Sequence, residues 1–183
     1  MLTLVSGLGR CGTTMVMHML AAGGAPVVGR APGYEVDQAA HIPLDRDWLL
    51  SLEDRAVKVL DPHRGWGRQC DARVIWLDRD MREQAKSQVK FLRMVAGVQV
   101  PKSAWKSMKS GLRSDRSKSL RVLPSERMMM SFEDIIADPE RAALMLAKWF
   151  DGFDVAAAVA VVKRRSPECA PSMDMESALA AAM

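Results

Sequence analysis

A glycine-rich segment near the N-terminus carries the clearest chemical signal in the sequence. Residues 7–14 read Gly-Leu-Gly-Arg-Cys-Gly-Thr-Thr, directly after the apolar run Leu2–Ser6 and directly before the apolar run Met15–Leu20. This order predicts a strand, a tight loop and a helix. Such a loop turns backbone N–H groups and a helix N-terminus toward one point, where anions bind. The residues expected to hold the anion are Gly9, Arg10, Cys11, Gly12, Thr13 and Thr14.

One position separates this loop from the Walker A loop, G-x-x-x-x-G-K-[ST]. Thr13 stands where that motif has its lysine, and a cation occurs earlier, at Arg10. Since the Walker lysine reaches the β- and γ-phosphates of a nucleoside triphosphate, its absence counts against ATP or GTP hydrolysis. The pattern G-x-x-[KR]-x-G-T-[TS] resembles instead the 5′-phosphosulfate loop of the sulfotransferases. That resemblance implies 3′-phosphoadenosine-5′-phosphosulfate (PAPS) as sulfuryl donor, 3′-phosphoadenosine 5′-phosphate (PAP) as product, and no bound metal.

A second motif lies at the predicted end of another strand. The apolar run Arg73–Leu77 ends in Asp78-Arg79-Asp80, and Ser87 follows Arg79 by eight residues. An arginine at the carboxyl end of a parallel strand points into the crevice where α/β sheets bind ligands, and its planar guanidinium suits a phosphate. The resemblance implies that Arg79 and Ser87 hold the 3′-phosphate of the donor. Taken by itself, the pair also fits a solvated helix start.

Two further segments extend the resemblance. Met130–Glu140 is similar to a sulfotransferase segment in which an aromatic side chain lies against the adenine, and Phe132 stands at that position. A phenyl face can stack on a base, although a core phenylalanine under a helix is the alternative. Lys163–Ser166 is the nearest match to the late Arg-Lys-Gly loop of the family, but no glycine follows it.

The general base is the point at which the resemblance fails. Many sulfotransferases have Lys-x-His on the third strand; here Lys58 matches the lysine and Leu60 occupies the histidine position. Histidine is the residue type whose unperturbed pKa suits acceptance of a hydroxyl proton near neutrality, which makes His63 a candidate. The expected catalytic residues are Arg10, Lys58, His63 and Asp61, and the alternatives for the base are Glu35, His41 or no dedicated base.

The elements that must position these residues alternate between strand and helix. This order predicts an α/β three-layer sandwich with a central parallel sheet, similar to the P-loop nucleotide hydrolases. About five strands are expected: Leu2–Ser6, Pro26–Val28, Ala56–Leu60, Arg73–Leu77 and Arg127–Met130. Asp138 and Pro139 predict the start of a helix that reaches Phe150. Residues 1–165 are expected to form one domain, and residues 166–183 a frayed tail.

Composition is typical of one globular domain. The chain has 183 residues, of which 49% are hydrophobic and 26% charged, with a formal net charge of +4. Three cysteines without metal spacing indicate a reducing, cytoplasmic compartment, and Arg10 would lower the pKa of the Cys11 thiol. Because strand-forming residues begin at Leu2 and no run of 18 apolar residues occurs, we expect neither a signal peptide nor a membrane span.

Two other functions stay open. Val74–Asp78 has the form of a Walker B strand, and Thr14 would then face magnesium in a phosphoryl-transfer enzyme of the small kinase type. Residues 101–121 carry seven basic side chains against one acid, Asp115, and also Trp105. They suit a non-catalytic nucleotide- or polyanion-binding module, an acidic acceptor, or simply a solvated face. The expected partner is a small-molecule or glycan acceptor, and nucleic acid is not expected.

Overall fold

Strands and helices alternate along the chain, as the sequence predicts. The computed structural model describes residues 1–40, 45–65, 71–94, 96–163 and 165–169. The strands are β1 (Leu2–Gly7), β2 (Ala56–Leu60), β3 (Ala72–Asp78) and β4 (Arg127–Ser131). The helices are α1 (Thr13–Ala22), α2 (Asp37–Ala40), α3 (Arg46–Leu50), α4 (Met81–Met94), α5 (Trp105–Val122), α6 (Phe132–Ala137), α7 (Pro139–Ala147) and α8 (Val155–Ala160). Short 3-10 turns cover Pro62–Arg64 and Lys102–Ala104.

The α/β fold with a parallel sheet is confirmed, with a different strand count. The described residues form four strands, and the predicted strand Pro26–Val28 contributes only an isolated bridge from Val27 to Ala56. Pro26 has no N–H for a ladder, and Gly29 turns the chain at a φ of 87°, so only one residue pairs.

The strand order creates a crevice between β1 and β3. All four strands are parallel and lie in the order β2-β1-β3-β4. The connection after β1 leads to β2 on one side, whereas the connection after β3 leads to β4 on the other. Parallel sheets bind ligands at such a switch point, outside the carboxyl ends of the strands. The segments after β1 and after β3 carry the two predicted anion motifs.

Side chains alternate between two cores, one on each face of the sheet. Val5, Ile75 and Met128 pack with α1, α7 and α8 in one cluster. Leu4, Val74 and Trp76 pack with α3, α4 and α5 in the other. This alternation follows from the two-residue period of a strand and gives the predicted three layers.

The helix boundaries follow local capping and packing. The Asp138 carboxylate accepts from the Arg141 N–H at 3.0 Å, and Pro139 is the first residue of α7. The predicted start is therefore confirmed, whereas α7 ends at Ala147, before the expected Phe150. The basic segment forms the continuous helix α5, unbroken at Gly111.

Candidate functional site

The loop between β1 and α1 has the strained backbone of an anion loop. Gly12 directly precedes α1 with a φ of 110°, and Arg10 has a φ of 70°. A Cβ atom at Gly12 would lie 2.8 Å from Cδ2 of Phe132, so both the positive φ and the close ring favour glycine there. Thr13 and Thr14 follow as the first residues of α1, where backbone N–H groups have no partner within the helix.

Cys11 faces the interior. Its thiol is buried, and burial raises its pKa to about 12, so the expected lowering of this pKa is wrong. Desolvation outweighs the hydrogen bond from the Thr13 backbone, which would lower this pKa. The Cys11 N–H donates to the Leu8 carbonyl at 3.2 Å, so the residue supports the loop turn. Its predicted contact with a ligand stays a prediction.

One face of α4 contacts the loop, and of its residues only Ser87 was predicted from the sequence. The side-chain amide of Gln84 donates to the carbonyls of Leu8 at 3.1 Å and Gly9 at 2.9 Å. Gln88 also donates to the Gly9 carbonyl, at 3.1 Å. The Arg10 Nε donates to Ser87 Oγ at 3.2 Å.

Phe91 completes this face of α4, with its ring centroid 5.3 Å from the Arg10 guanidinium carbon. The spacing of residues 84, 87, 88 and 91 is that of one helix face. This spacing was a usable sequence signal for the support of the loop.

Arg79 is a buried cation at the carboxyl end of β3. Its guanidinium donates to the carbonyls of Arg10 at 3.2 Å and Pro167 at 3.0 Å. Its Nε is buried and has no hydrogen-bond partner among the described residues. Burial lowers its pKa, and nearby Arg165 lowers it further. Because a buried N–H without a partner is costly, this side chain is suited to an anionic ligand.

Phe132 lies beneath the arginines. Its ring is buried, with centroid distances of 4.3 Å to the Arg79 guanidinium carbon and 5.1 Å to that of Arg165. The ring therefore supports Arg79 and Arg165. Its expected stacking on adenine stays a prediction that requires an open ring face.

The segment 165–169 crosses this part of the site. Pro167 accepts from Arg79, and the Cys169 N–H donates to the Glu83 carboxylate at 2.9 Å. These contacts tie the described end of the expected C-terminal tail to the start of α4. Arg164 and residues 170–183 lie outside the described residues.

Lys58 occupies the centre of a second polar cluster, beside the start of α1. Its ammonium group donates to Thr14 Oγ1 and to the Gly33 carbonyl, both at 2.8 Å, and contacts the Glu35 carboxylate. Only 4% of Lys58 is exposed. Burial lowers its pKa, while the hydrogen bond and charge of Glu35 oppose that change. Lys58 is therefore in direct contact with Thr14, at the end of the glycine-rich loop.

The candidates for the general base have different surroundings. His63 faces α5, with Nδ1 3.1 Å from Ser119 Oγ and Nε2 3.7 Å from the Asp115 carboxylate. Asp61 accepts from the Gly9 N–H at 3.2 Å. Glu35 contacts Lys58 and keeps 64% of its side chain exposed. His41 lies outside the described residues.

Structural comparison identifies the architecture. A retinol dehydratase solved with androsterone and the inactive cofactor PAP superposes with a TM-score of 0.56 at 16% identity, over 87% of this chain and 62% of that one. A mouse sulfotransferase in complex with PAP superposes with a TM-score of 0.60 at 12% identity, over 95% of this chain and 65% of that one. A sulfotransferase from Alicyclobacillus acidocaldarius superposes with a TM-score of 0.57 at 11% identity, over 97% of this chain and 88% of that one.

The chain has the sulfotransferase fold. It spans less than two thirds of the length of the first two of these proteins. No protein-family model matches the sequence, and no curated protein matches it either. The predicted resemblance to sulfotransferases is thus confirmed for the fold, at sequence identities too low to carry an activity.

The residues present fit a nucleotide that carries two separate anionic groups. In the sulfotransferase fold of this chain, the loop 7–14 follows β1 and the buried Arg79 follows β3. These strands are neighbours, on either side of the switch point. An anion bound next to the loop would supply the hydrogen-bond acceptor that the buried Nε of Arg79 lacks among the described residues. Within the described ranges, no group of His, Cys, Asp and Glu side chains could hold a metal ion.

The Walker B interpretation of β3 has little support in this sulfotransferase fold. Arg116 donates to both carboxylate oxygens of Asp78, at 2.7 and 2.6 Å, and the Trp76 Nε1 also donates to this carboxylate at 2.9 Å. Thr14 Oγ1 accepts from Lys58. Both groups expected near magnesium therefore already have protein partners.

No helix in the described part of the chain is both long and apolar enough to cross a membrane.

Proposed function

We propose that this protein is a sulfotransferase that moves a sulfuryl group from PAPS to a hydroxyl or amine of a small-molecule or glycan acceptor. The observation that carries the proposal is the buried Arg79 guanidinium, with an unpartnered N–H, next to the anion loop at the switch point of the sheet. A 3′-phosphate would supply both the missing hydrogen-bond acceptor and the missing negative charge.

Arg79, Ser87 and Arg10 together are suited to the 3′-phosphate. Arg10 donates to Ser87, and Arg79 donates to the Arg10 carbonyl, so the three residues form one connected group. We therefore assign the Arg10 side chain to the 3′-phosphate side. Its expected role at the leaving oxygen of the donor stays a prediction.

The loop amides and the hydroxyls of Thr13 and Thr14 are suited to the 5′-phosphate. PAPS supplies a sulfur–oxygen bond whose electrons pass to the 5′-phosphate oxygen when the acceptor oxygen or nitrogen binds sulfur. Each loop N–H that meets that growing charge contributes on the order of 3 kcal/mol, as in other oxyanion sites. Lys58 bonds Thr14, and its positive charge would stabilise the group in transfer.

Glu35 is the base that we favour. Its exposed carboxylate contacts Lys58, so an acceptor bound over Lys58 can lose its proton to Glu35. Asp61 is bonded to the loop N–H of Gly9, and both nitrogens of His63 face α5. The structure thus favours an alternative from the sequence over the two expected bases.

The decisive experiment is calorimetric titration with PAP, beside ATP plus magnesium. Micromolar binding of PAP with much weaker binding of ATP supports the donor site, and transfer of labelled sulfuryl from PAPS to a panel of acceptors then tests turnover. If ATP binds and PAP does not, the phosphoryl-transfer alternative replaces the proposal. If neither binds, the loop has no nucleotide function.

A polyanion-binding function is the second candidate, favoured by the surface of α5. One exposed face of this helix carries Ser110, Arg113, Ser114, Ser117, Lys118 and Arg121. Cations and hydroxyls together suit phosphate or sulfate groups. Binding of an oligonucleotide that falls steeply with salt would support this function, whereas binding that does not change with salt would dismiss it.

A further inference from the structure

Two side-chain amides of α4 donate to carbonyls of the glycine-rich loop. Gln84 is 4% exposed, and its Nε2 donates to two consecutive loop carbonyls, those of Leu8 and Gly9. Gln88, one turn later, donates to the Gly9 carbonyl as well. These contacts lie on the side of the loop that faces α4.

These bonds determine where the loop N–H groups point. In a trans peptide the carbonyl and the N–H point in opposite directions. The Leu8 carbonyl is directed to α4, and the N–H of the same peptide, that of Gly9, is directed across the loop to Asp61 at 3.2 Å. The Gly9 carbonyl is also directed to α4. The N–H of Arg10, in the same peptide, must therefore also face away from α4.

We propose that Gln84 is a positioning residue for the anion site, with Gln88 in support. By holding two carbonyls toward α4, it directs the N–H groups of the loop to the side where an anion binds. The identity of that anion, the 5′-phosphate of PAP or PAPS, rests on the proposed function. The positioning itself is a property of the ligand-free protein.

General packing does not account for Gln84. Ala85 and Val89 of the same helix are the buried apolar residues that join the core. Gln84 is a buried polar side chain on the loop-facing side. Without its donors the buried Leu8 carbonyl would lose its bond to α4, and the Gly9 carbonyl would keep only the bond from Gln88. An apolar residue of equal length would fill the space without directing the peptides.

The test compares Gln84→Met with Gln38→Met, an exposed position in α2. In the ligand-free variants, residue-level hydrogen exchange by NMR follows the N–H groups of Gly9 and Cys11, which bond to Asp61 and Leu8. Calorimetry measures the affinities for PAP, adenosine 5′-phosphate and adenosine 3′-phosphate.

We expect Gln84→Met to speed exchange of both N–H groups, and to weaken the binding of PAP and adenosine 5′-phosphate about tenfold. Adenosine 3′-phosphate should stay within about twofold of wild type.

Several outcomes would overturn this role. Unchanged exchange at Gly9 and Cys11 would show that Gln84 does not hold the loop. Faster exchange with unchanged affinity for adenosine 5′-phosphate would show that Gln84 does not position the loop for the anion. An equal loss of affinity for all three nucleotides would show the same. If Gln84→Met does not fold, Gln88→Met provides the same comparison with a smaller expected effect, because Gly9 keeps its bond to Gln84.

Failure of the proposed function would be distinguishable. If wild-type protein binds none of the nucleotides, the donor assignment is wrong. The exchange measurement then still decides whether α4 positions the loop, because it needs no ligand.

Discussion

Two cations, Arg79 and Lys58, are buried at the carboxyl end of the sheet, and burial lowers the pKa of both. Desolvation of a charge is unfavourable unless a partner compensates it. Lys58 has a carboxylate partner in Glu35, whereas the described hydrogen bonds of Arg79 go to carbonyls. The two residues are therefore suited to different tasks: Arg79 to bind a fixed anion, Lys58 to respond to a charge that develops during transfer.

Arg79→Ala should remove the preference for a 3′-phosphate. Loss of charge-assisted hydrogen bonds predicts that PAP binding weakens about 10- to 100-fold, while binding of adenosine 5′-phosphate changes little. Calorimetry with both nucleotides measures the preference. Arg79→Lys is the control, because it keeps the charge without the planar fork. An unchanged ratio of the two affinities would exclude Arg79 from the 3′-phosphate site.

Lys58 should limit turnover at alkaline pH. Its lowered pKa means that the proton is lost below the ordinary value of 10.5, so kcat should fall as pH rises toward that value. Over the same window the unfolded chain binds more protons than the folded one, so stability rises with pH. A pH profile of kcat beside a pH series of thermal unfolding measures both effects.

Lys58→Arg is the matched variant for this pH dependence. Arginine keeps its proton throughout the range, so the alkaline fall in kcat should move upward or disappear. A fall in kcat at the same pH in both proteins would assign it to another group.

Glu35→Gln should slow the reaction without weakening the binding of the donor. Removal of a general base typically costs on the order of 100-fold or more in rate, and the amide keeps the size of the side chain. Single-turnover rates with PAPS and an identified acceptor measure the loss of rate, and the affinity for PAP shows whether donor binding is unchanged. His63→Gln is the comparison and should keep most of its activity. The assignment is wrong if the histidine variant loses as much activity as the glutamate variant.

At the scale of elements, two strand-to-helix connections bring the site together. The segment between β1 and α1 supplies the loop, the segment between β3 and α4 supplies Arg79, and α4 itself supplies Ser87. Phe132 is the first residue of α6, directly after β4. The segment 165–169 is bound to these same elements through Arg79 and Glu83.

Donor binding should loosen the segment 165–169. A phosphate at Arg79 would compete with the Pro167 carbonyl for the guanidinium, so we expect PAP to speed alkylation of Cys169. Mass spectrometry after brief treatment with iodoacetamide measures the rate. Cys11 is an internal reference, because its buried thiol has a pKa of about 12 and should stay unlabelled. Slower labelling of Cys169 with PAP would instead mean that the segment closes over the donor.

At the scale of the whole molecule, the site joins both layers of helices. The loop leads into α1 on one face of the sheet, and α4 supports it from the other. A ligand held by both should therefore stabilise the complete fold, because binding to the folded state alone lowers its free energy.

PAP should raise the melting temperature. At a concentration of 100 times Kd the stabilisation is about 2.7 kcal/mol, which corresponds to roughly 5–10 °C for a chain of this size. Thermal unfolding with and without PAP measures the shift, and Arg79→Ala should reduce it. An equal shift with ATP plus magnesium would contradict specific recognition of the 3′-phosphate.

The sequence by itself determined the elements and the anion loop. Glycine spacing, strand alternation and the Asp138–Pro139 helix start are local signals, so they predicted β1, the loop, β3 and α7 closely. The eight-residue interval from Arg79 to Ser87 is also local, and both residues contact Arg10 of the loop.

Only the tertiary structure decided which side chains meet across the sheet. The lowered pKa of Lys58 and the raised pKa of Cys11 depend on burial, and the contact of Lys58 with Glu35 joins segments 23 residues apart. The same holds for His63, whose two ring nitrogens lie near Ser119 and Asp115 of α5, and for Gln84, whose partners are 75 and 76 residues distant. Such contacts depend on strand order and packing. The spacing of residues 84, 87, 88 and 91 indicates one face of α4, but only the fold brings that face against the loop.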